Sequence, residues 1–159
     1  MSDDSTVIRG ACHCGAVKVE MQLSGPADEV LLRRCGCSFC RRVGALAYSD
    51  PQGHAHIDGR LADISLYQFG EEAADFVICH TCGVFVAAIS DDGERPRCVV
   101  NVPGIAPDVA AGLDSVPLQA AGEDRAGRKQ RHAARWMPVT FSDPAIPSNL
   151  RTVALPAQA

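Results

Sequence analysis

The chain lacks an extended run of basic residues, and its formal net charge is −4. Nothing in that balance suggests a nucleic-acid backbone as partner. The densest cationic stretch, residues 125–135, follows Glu123 and Asp124 and reads as a solvated segment. No apolar run approaches the ~20 residues of a membrane span. The N-terminal Met1-Ser2-Asp3-Asp4-Ser5-Thr6 is acidic and polar, without an apolar core or a small-residue cleavage site, so no secretory signal peptide is expected. These absences make a cytoplasmic location the expectation, with neither nucleic acid nor membrane as partner. Thiols stay reduced in that compartment. Eight cysteines therefore point to metal ligation rather than disulfides.

What is present is a chain of 159 residues with 47% hydrophobic and 21% charged positions, ordinary values for a soluble globular protein. Its length suits a single domain, residues 1–159, with a substantial core. Seven of the eight cysteines fall in three clusters: Cys12-His13-Cys14, Cys35-Gly36-Cys37-Ser38-Phe39-Cys40, and Cys79-His80-Thr81-Cys82. The middle cluster runs directly into Arg41 and Arg42.

Between the clusters the pattern is that of short strands. From Val17 the chain alternates, with Val17, Val19, Met21 and Leu23 on one side and Lys18, Glu20 and Gln22 on the other. Period two over such a run is a half-buried strand. Gly25-Pro26 ends it, and residues 29–34 form a second strand that delivers the chain to the central thiols. Further strands are expected at 46–48, 55–57, 64–69, 76–78, 84–89 and 97–102, punctuated by Pro51, Gly53, Asp58-Gly59, Gly70 and Asp91-Asp92-Gly93. The fold class expected is mainly β, an antiparallel sandwich or tent of sheets with little helix. After Pro103 the character changes. Short helices are expected at 107–113 and 123–136, and the tail past Pro138, with Pro144, Pro147 and Pro156, is expected to be irregular.

Cysteines two or three positions apart can share one tetrahedral ion, because a tight turn aims both sulfurs inward. Cys12, Cys14, Cys79 and Cys82 supply four thiolates from distant parts of the chain, a closed set with a structural role. Cys35, Cys37 and Cys40 leave three sulfurs and a position for water or substrate. Three thiolates weaken Lewis acidity, which favours activating an incoming thiol over generating hydroxide. Arg41 and Arg42 could offset the charge or grip a carboxylate of a ligand. The competing reading has both ions structural, with His54, His56 or His80 closing the second site. Cys98, flanked by Val99 and Val100, reads as a core thiol, and Trp136 and Tyr48 as packing residues.

The motifs Gly10-Ala11-Cys12-His13-Cys14-Gly15-Ala16-Val17, Cys35-Gly36-Cys37-Ser38-Phe39-Cys40-Arg41-Arg42-Val43-Gly44-Ala45 and Phe76-Val77-Ile78-Cys79-His80-Thr81-Cys82-Gly83 occur in this order. Jointly they resemble the glutathione-dependent formaldehyde-activating enzymes, a family that includes centromere protein V. The resemblance covers roughly residues 8–102 and leaves 103–159 as an irregular extension without transferable motif. It implies a zinc-stabilised β-tent with two zinc ions. Cys12, Cys14, Cys79 and Cys82 would hold the structural ion and Cys35, Cys37 and Cys40 the catalytic one. Arg41 and Arg42, from their place beside the trio rather than from the resemblance, are the candidate substrate contacts.

The implied activity is that of a carbon–sulfur lyase, reversibly joining the thiol of glutathione to formaldehyde as S-(hydroxymethyl)glutathione. The implied partners are thus a small thiol and an aldehyde, and a homodimer is compatible with the resemblance. Gly36 stands where relatives often carry histidine, opening space beside the metal. The alternative to an enzyme is a zinc module that binds or carries a thiol without catalysis. A redox role for Cys98 is the weakest reading. Cys98-Val99-Val100-Asn101 has one residue too many for the Arg-Cys-x-Asn motif of B-type methionine sulfoxide reductases.

Overall fold

The computed structural model describes residues 5–91, 94–118 and 122–150. The alternation noted from Val17 becomes a hairpin of β1 (Thr6–Ala11) and β2 (Lys18–Leu23), registered Thr6 to Leu23 through Ala11 to Lys18. Val19, Met21 and Leu23 turn inward and are buried. After β3 (Leu32–Arg34) the central thiol loop enters a short helix, α1 (Ser38–Val43), which Gly44 ends in the left-handed conformation at φ 66° that glycine adopts without a Cβ penalty. Next come β4 (Ala47–Tyr48), β5 (His54–Asp58) and β6 (Ile64–Tyr67). The meander β7 (Asp75–Cys79), β8 (Phe85–Asp91) and β9 (Pro96–Asn101) follows, each strand antiparallel to the last.

Eleven strands among the described residues form one sheet that forks at β9. One edge of β9 pairs with β8 along its length. The other edge is shared: Val100 and Asn101 pair with Tyr48 and Ala47 of β4, and Arg97 and Cys98 with Pro138 and Met137 of β11 (Met137–Phe141). Ser49 stitches this seam, its hydroxyl donating to the Cys98 carbonyl at 2.8 Å and accepting from the Met137 amide at 2.6 Å. Asn101, buried, accepts from the Leu46 amide at 3.1 Å and donates to the Phe85 carbonyl at 2.9 Å, tying β4 to β8. Buried polar groups satisfied in this way fix one arrangement of the fork.

The fold is mainly β, as expected, with two departures. Two pairings are parallel, β10 (Ser115–Pro117) with β3 and β11 with β5. The stretch after 103, expected to be irregular beyond two helices, is built into the fold. It carries α2 (Val102–Ile105), α3 (Pro107–Ala111), α4 (Arg125–Arg135) and α5 (Ala145–Ser148), and its strand β11 joins β5 to β9 inside the sheet. Pro138 is tolerated there at the short pairing with Arg97. The remainder of the proline-rich tail, including Pro156, lies outside the described residues. No helix among the described residues is long and apolar enough to cross a membrane.

The main core gathers β2, β5, β7, β8, β9 and β11 around Met21, Ile57, Val77, Ile89, Val100 and Met137, all fully buried. A second, smaller cluster joins Cys40, Ala45, Phe85, Ala88 and Trp136. It forms the ground on which the central thiols sit.

Candidate metal centre and its cavity

Two groups of sulfurs converge. In the first, the tip of the β1–β2 hairpin presents Cys12 and Cys14, and the β7–β8 turn presents Cys79 and Cys82, with all four sulfurs within 4.8 Å of one another. Cys12 and Cys14 are 3.7 Å apart and Cys14 and Cys79 3.5 Å. A tetrahedron of metal–sulfur bonds near 2.3 Å places its sulfurs about 3.8 Å apart, so the set fits one ion. All eight cysteines are unbridged. Amide groups already point at the sulfurs, Val17 N–H reaching Cys12 Sγ at 3.3 Å. Burial pushes the Cys79 thiol up to about 11. Burial also pushes up Cys82, but amide N–H groups of Cys14 and Val84 and the neighbouring sulfurs outweigh it and bring that thiol down to about 6.

The second group is Cys35, Cys37 and Cys40, again within 4.8 Å. Cys35 follows β3. Cys37 caps α1, its sulfur accepting from the Cys40 amide at 3.3 Å, and Cys40 lies in the first turn. The Cys35 and Cys40 thiols hold Cys37 down to about 2, while hydrogen bonding to Cys37 raises Cys35 and hydrogen bonding to Cys35 raises Cys40. The three thus share negative charge that one cation would neutralise. Among the described residues no histidine or carboxylate completes the trio. His56 is engaged with Thr140 at 2.8 Å and His80 with Ser65 at 3.2 Å. A Cβ on Gly36 would meet nothing within 4 Å, consistent with open space at that position.

Phe39 seats the trio. Its ring packs on Phe76 at 5.1 Å and Phe85 at 5.2 Å, with Phe69 and Tyr67 at 5.7 and 5.8 Å. Four of the five phenylalanines of the chain are therefore spent beneath α1. Such edge and stacked contacts hold a short loop more rigidly than its six-residue helix could alone.

All three cysteines of the trio line a cavity of about 990 Å³, and none of the four cysteines of the first group does. Phe76 and Phe85 form one wall, and α4 forms another with Arg128, Arg131, His132 and Arg135. Arg33 stands at the same cavity, and Trp136 follows α4 into it. The solvated segment expected at 125–135 is therefore corrected: one face of α4 is turned inward, and His132 is 3% exposed. Its ring stacks on Trp136 with centroids 3.7 Å apart. Sequence reasoning read Trp136 as a packing residue and missed Arg128, Arg131, His132 and Arg135, although Arg128, His132 and Trp136 recur at four-residue steps, one face of a helix.

Arg41 and Arg42 do not line the cavity. They are exposed in the last turn of α1, where positive charge suits the helix C-terminus, and Arg42 donates to the Ser38 carbonyl at 2.7 Å. Cys98 is fully buried in β9 and burial pushes its thiol up, the opposite of a nucleophile's environment. A second depression of about 440 Å³ lies beside Gly15, with Asp63 and Asp143 on its walls. Those carboxylates are occupied by Arg60 at 3.0 Å and by the Leu61 amide at 2.8 Å.

The sequence profile of the glutathione-dependent formaldehyde-activating enzymes matches residues 7–111. The chain belongs to that family. All seven clustered cysteines fall inside the matched residues, and α4 lies beyond them. The chain is also similar to a Rhodobacter sphaeroides protein whose crystal structure was solved as a structural-genomics target. The two are 31% identical with a TM-score of 0.51, over 69% of this chain and 100% of that one.

Proposed function

We propose that this family member is a zinc-dependent enzyme of the carbon–sulfur lyase type that reversibly joins a small, glutathione-like thiol to an aldehyde such as formaldehyde, giving an S-hydroxymethyl adduct. One observation carries the reading: Cys35, Cys37 and Cys40 face a cavity, without a fourth protein ligand among the described residues. Cys12, Cys14, Cys79 and Cys82 would hold a second, structural zinc ion. Zinc is the expected metal because thiolate tetrahedra suit it and it brings no redox chemistry of its own.

A zinc ion held by the trio would lower the pKa of a thiol arriving at its fourth position. The chain supplies the surroundings. Its cavity of about 990 Å³ is at the upper end of small-molecule sites and far exceeds what formaldehyde alone requires, so it suits a tripeptide-sized thiol. Phe76 and Phe85 exclude bulk water from one side. In the joining direction the sulfur–carbon bond forms, the carbonyl π pair moves to oxygen, and the thiol proton ends on that oxygen. Arg33 and the guanidinium groups of α4 stand on the cavity and are better placed than Arg41 or Arg42 to steady an anionic ligand. A cytoplasmic setting suits the unbridged state of all eight cysteines.

The test is adduct formation from glutathione and formaldehyde at trace and at stoichiometric protein. Turnover at trace protein, lost in Cys37→Ser, is the expected result. An effect confined to stoichiometric protein would instead support a thiol carrier.

A further inference from the structure

The family-matched residues supply the sulfurs, but the wall facing them comes from α4, outside the match. Two residues of that wall each carry a buried polar atom without a hydrogen-bond partner: Arg128 Nε, a donor, and His132 Nδ1, an acceptor in the Nε2–H tautomer. Buried polar groups are almost always paired, and leaving one unpaired is costly. Of their neighbours on α4, Gln130 and Arg135 are exposed, and two cations are engaged. Arg131 is held by both oxygens of Glu123 at 3.1 Å, and Lys129 by Ser90 and Asp91 at 2.8 Å. Four residues of helix separate the two unpaired atoms, a rise of about 6 Å.

His132 is kept neutral. Burial, with Arg131, Lys129 and Arg128 nearby, brings its pKa down to about 3. So low a value makes it a poor general base at neutral pH. The Ala73 backbone carbonyl beside the ring favours the Nε2–H tautomer, in which Nδ1 keeps a lone pair able to accept a hydrogen bond.

We propose that Arg128 and His132 are specificity-determining residues of this cavity, Arg128 Nε donating to a carboxylate of the thiol ligand and His132 Nδ1 accepting from an amide or hydroxyl group of the same molecule. This rests on the cavity being the thiol site proposed above. It selects thiols that carry an anionic oxygen and a hydrogen-bond donor, against thiols that lack the acid.

The experiment uses the zinc-loaded full chain and two probes, N-acetylcysteine and N-acetylcysteamine, which share the thiol and the amide and differ in the carboxylate. Binding is read by calorimetry and by fluorescence of Trp136, the one tryptophan of the chain. The wild type should favour N-acetylcysteine by roughly tenfold to a hundredfold, the scale of one hydrogen bond to a charged group. Arg128→Met should erase that preference and leave N-acetylcysteamine affinity in place. His132→Phe should weaken both probes, and His132→Asn, which puts an amide oxygen near the Nδ1 position, should restore them.

An unchanged preference in Arg128→Met, or equal loss of both probes, would overturn the proposal. Cys37→Ser separates the two levels. If that variant binds as the wild type does while Arg128→Met loses its preference, the reading of the trio fails and the α4 assignment stands. If neither probe binds the wild type, both fall.

Discussion

The two sulfur clusters differ in what they connect. Cys14 and Cys79 are 65 positions apart, and their cluster joins the first hairpin to the central meander. Cys35, Cys37 and Cys40 span one loop and the first turn of α1, and they join nothing that the chain does not already hold together. Closing a long loop carries a larger entropic cost than closing a short one, so an ion across the first cluster contributes more to folding. The trio needs no such role. Phe39 and its aromatic neighbours seat it, and its sulfurs are left facing a cavity. On the reading proposed above, ligands far apart in sequence would hold the fold, and ligands close together would be free to meet a substrate.

The sharpest way to break this contrast is Cys79→Ser. Structural zinc contributes on the order of 10–16 kcal/mol of apparent binding free energy, against a net stability of about 5–15 kcal/mol for a typical domain. The variant should lose its cooperative thermal transition in circular dichroism. Cys37→Ser should do the reverse, with turnover abolished, metal content reduced by one ion, and the transition shifted by no more than a few degrees.

Gly10→Ala attacks the seat of the hairpin without touching sulfur. Its Cβ would lie 2.0 Å from the Ile105 carbonyl oxygen, a backbone atom of α2. The expected cost is about 1–3 kcal/mol by denaturant melt, with metal content unchanged.

A smaller effect concerns acid. Burial holds His132 near a pKa of about 3 in the folded chain, against about 6.5 when unfolded. Between those values the unfolded chain binds the extra proton. Stability should therefore fall as pH drops through that window, by at most about 1.4 kcal/mol per unit. His132→Phe should flatten the slope relative to the wild type, and equal slopes would count against the assignment. The smallest effect is expected for Cys98→Ala, about 1 kcal/mol of stability with turnover intact.

The parts legible in the sequence are those whose signal is local. The alternation from Val17 to Leu23 marks β2, because one face of that strand is buried and the other is not. The cysteine spacings mark both clusters, because a knuckle is built by neighbours in the chain. β1 escaped notice since only Ile8 of its six residues is buried, leaving no alternation to read. β11 escaped because its place depends on β5 and β9, which lie far off in sequence, while Pro138 and the prolines after the strand point locally to irregular chain. The charge-rich stretch 125–135 reads as solvated until the fold brings it to the cavity that the trio also lines. Arg41 and Arg42 show the converse: adjacency to Cys40 suggests contact with substrate, yet α1 turns both outward.

The claim that one sulfur set is closed and the other open is tested most directly by zinc K-edge absorption of the full chain before and after adding N-acetylcysteine. The expected spectrum averages about 3.5 sulfurs per zinc with a minor light-atom ligand, rising to about 4 sulfurs with the thiol. Four sulfurs per zinc before any thiol is added, unchanged afterwards, would contradict the account.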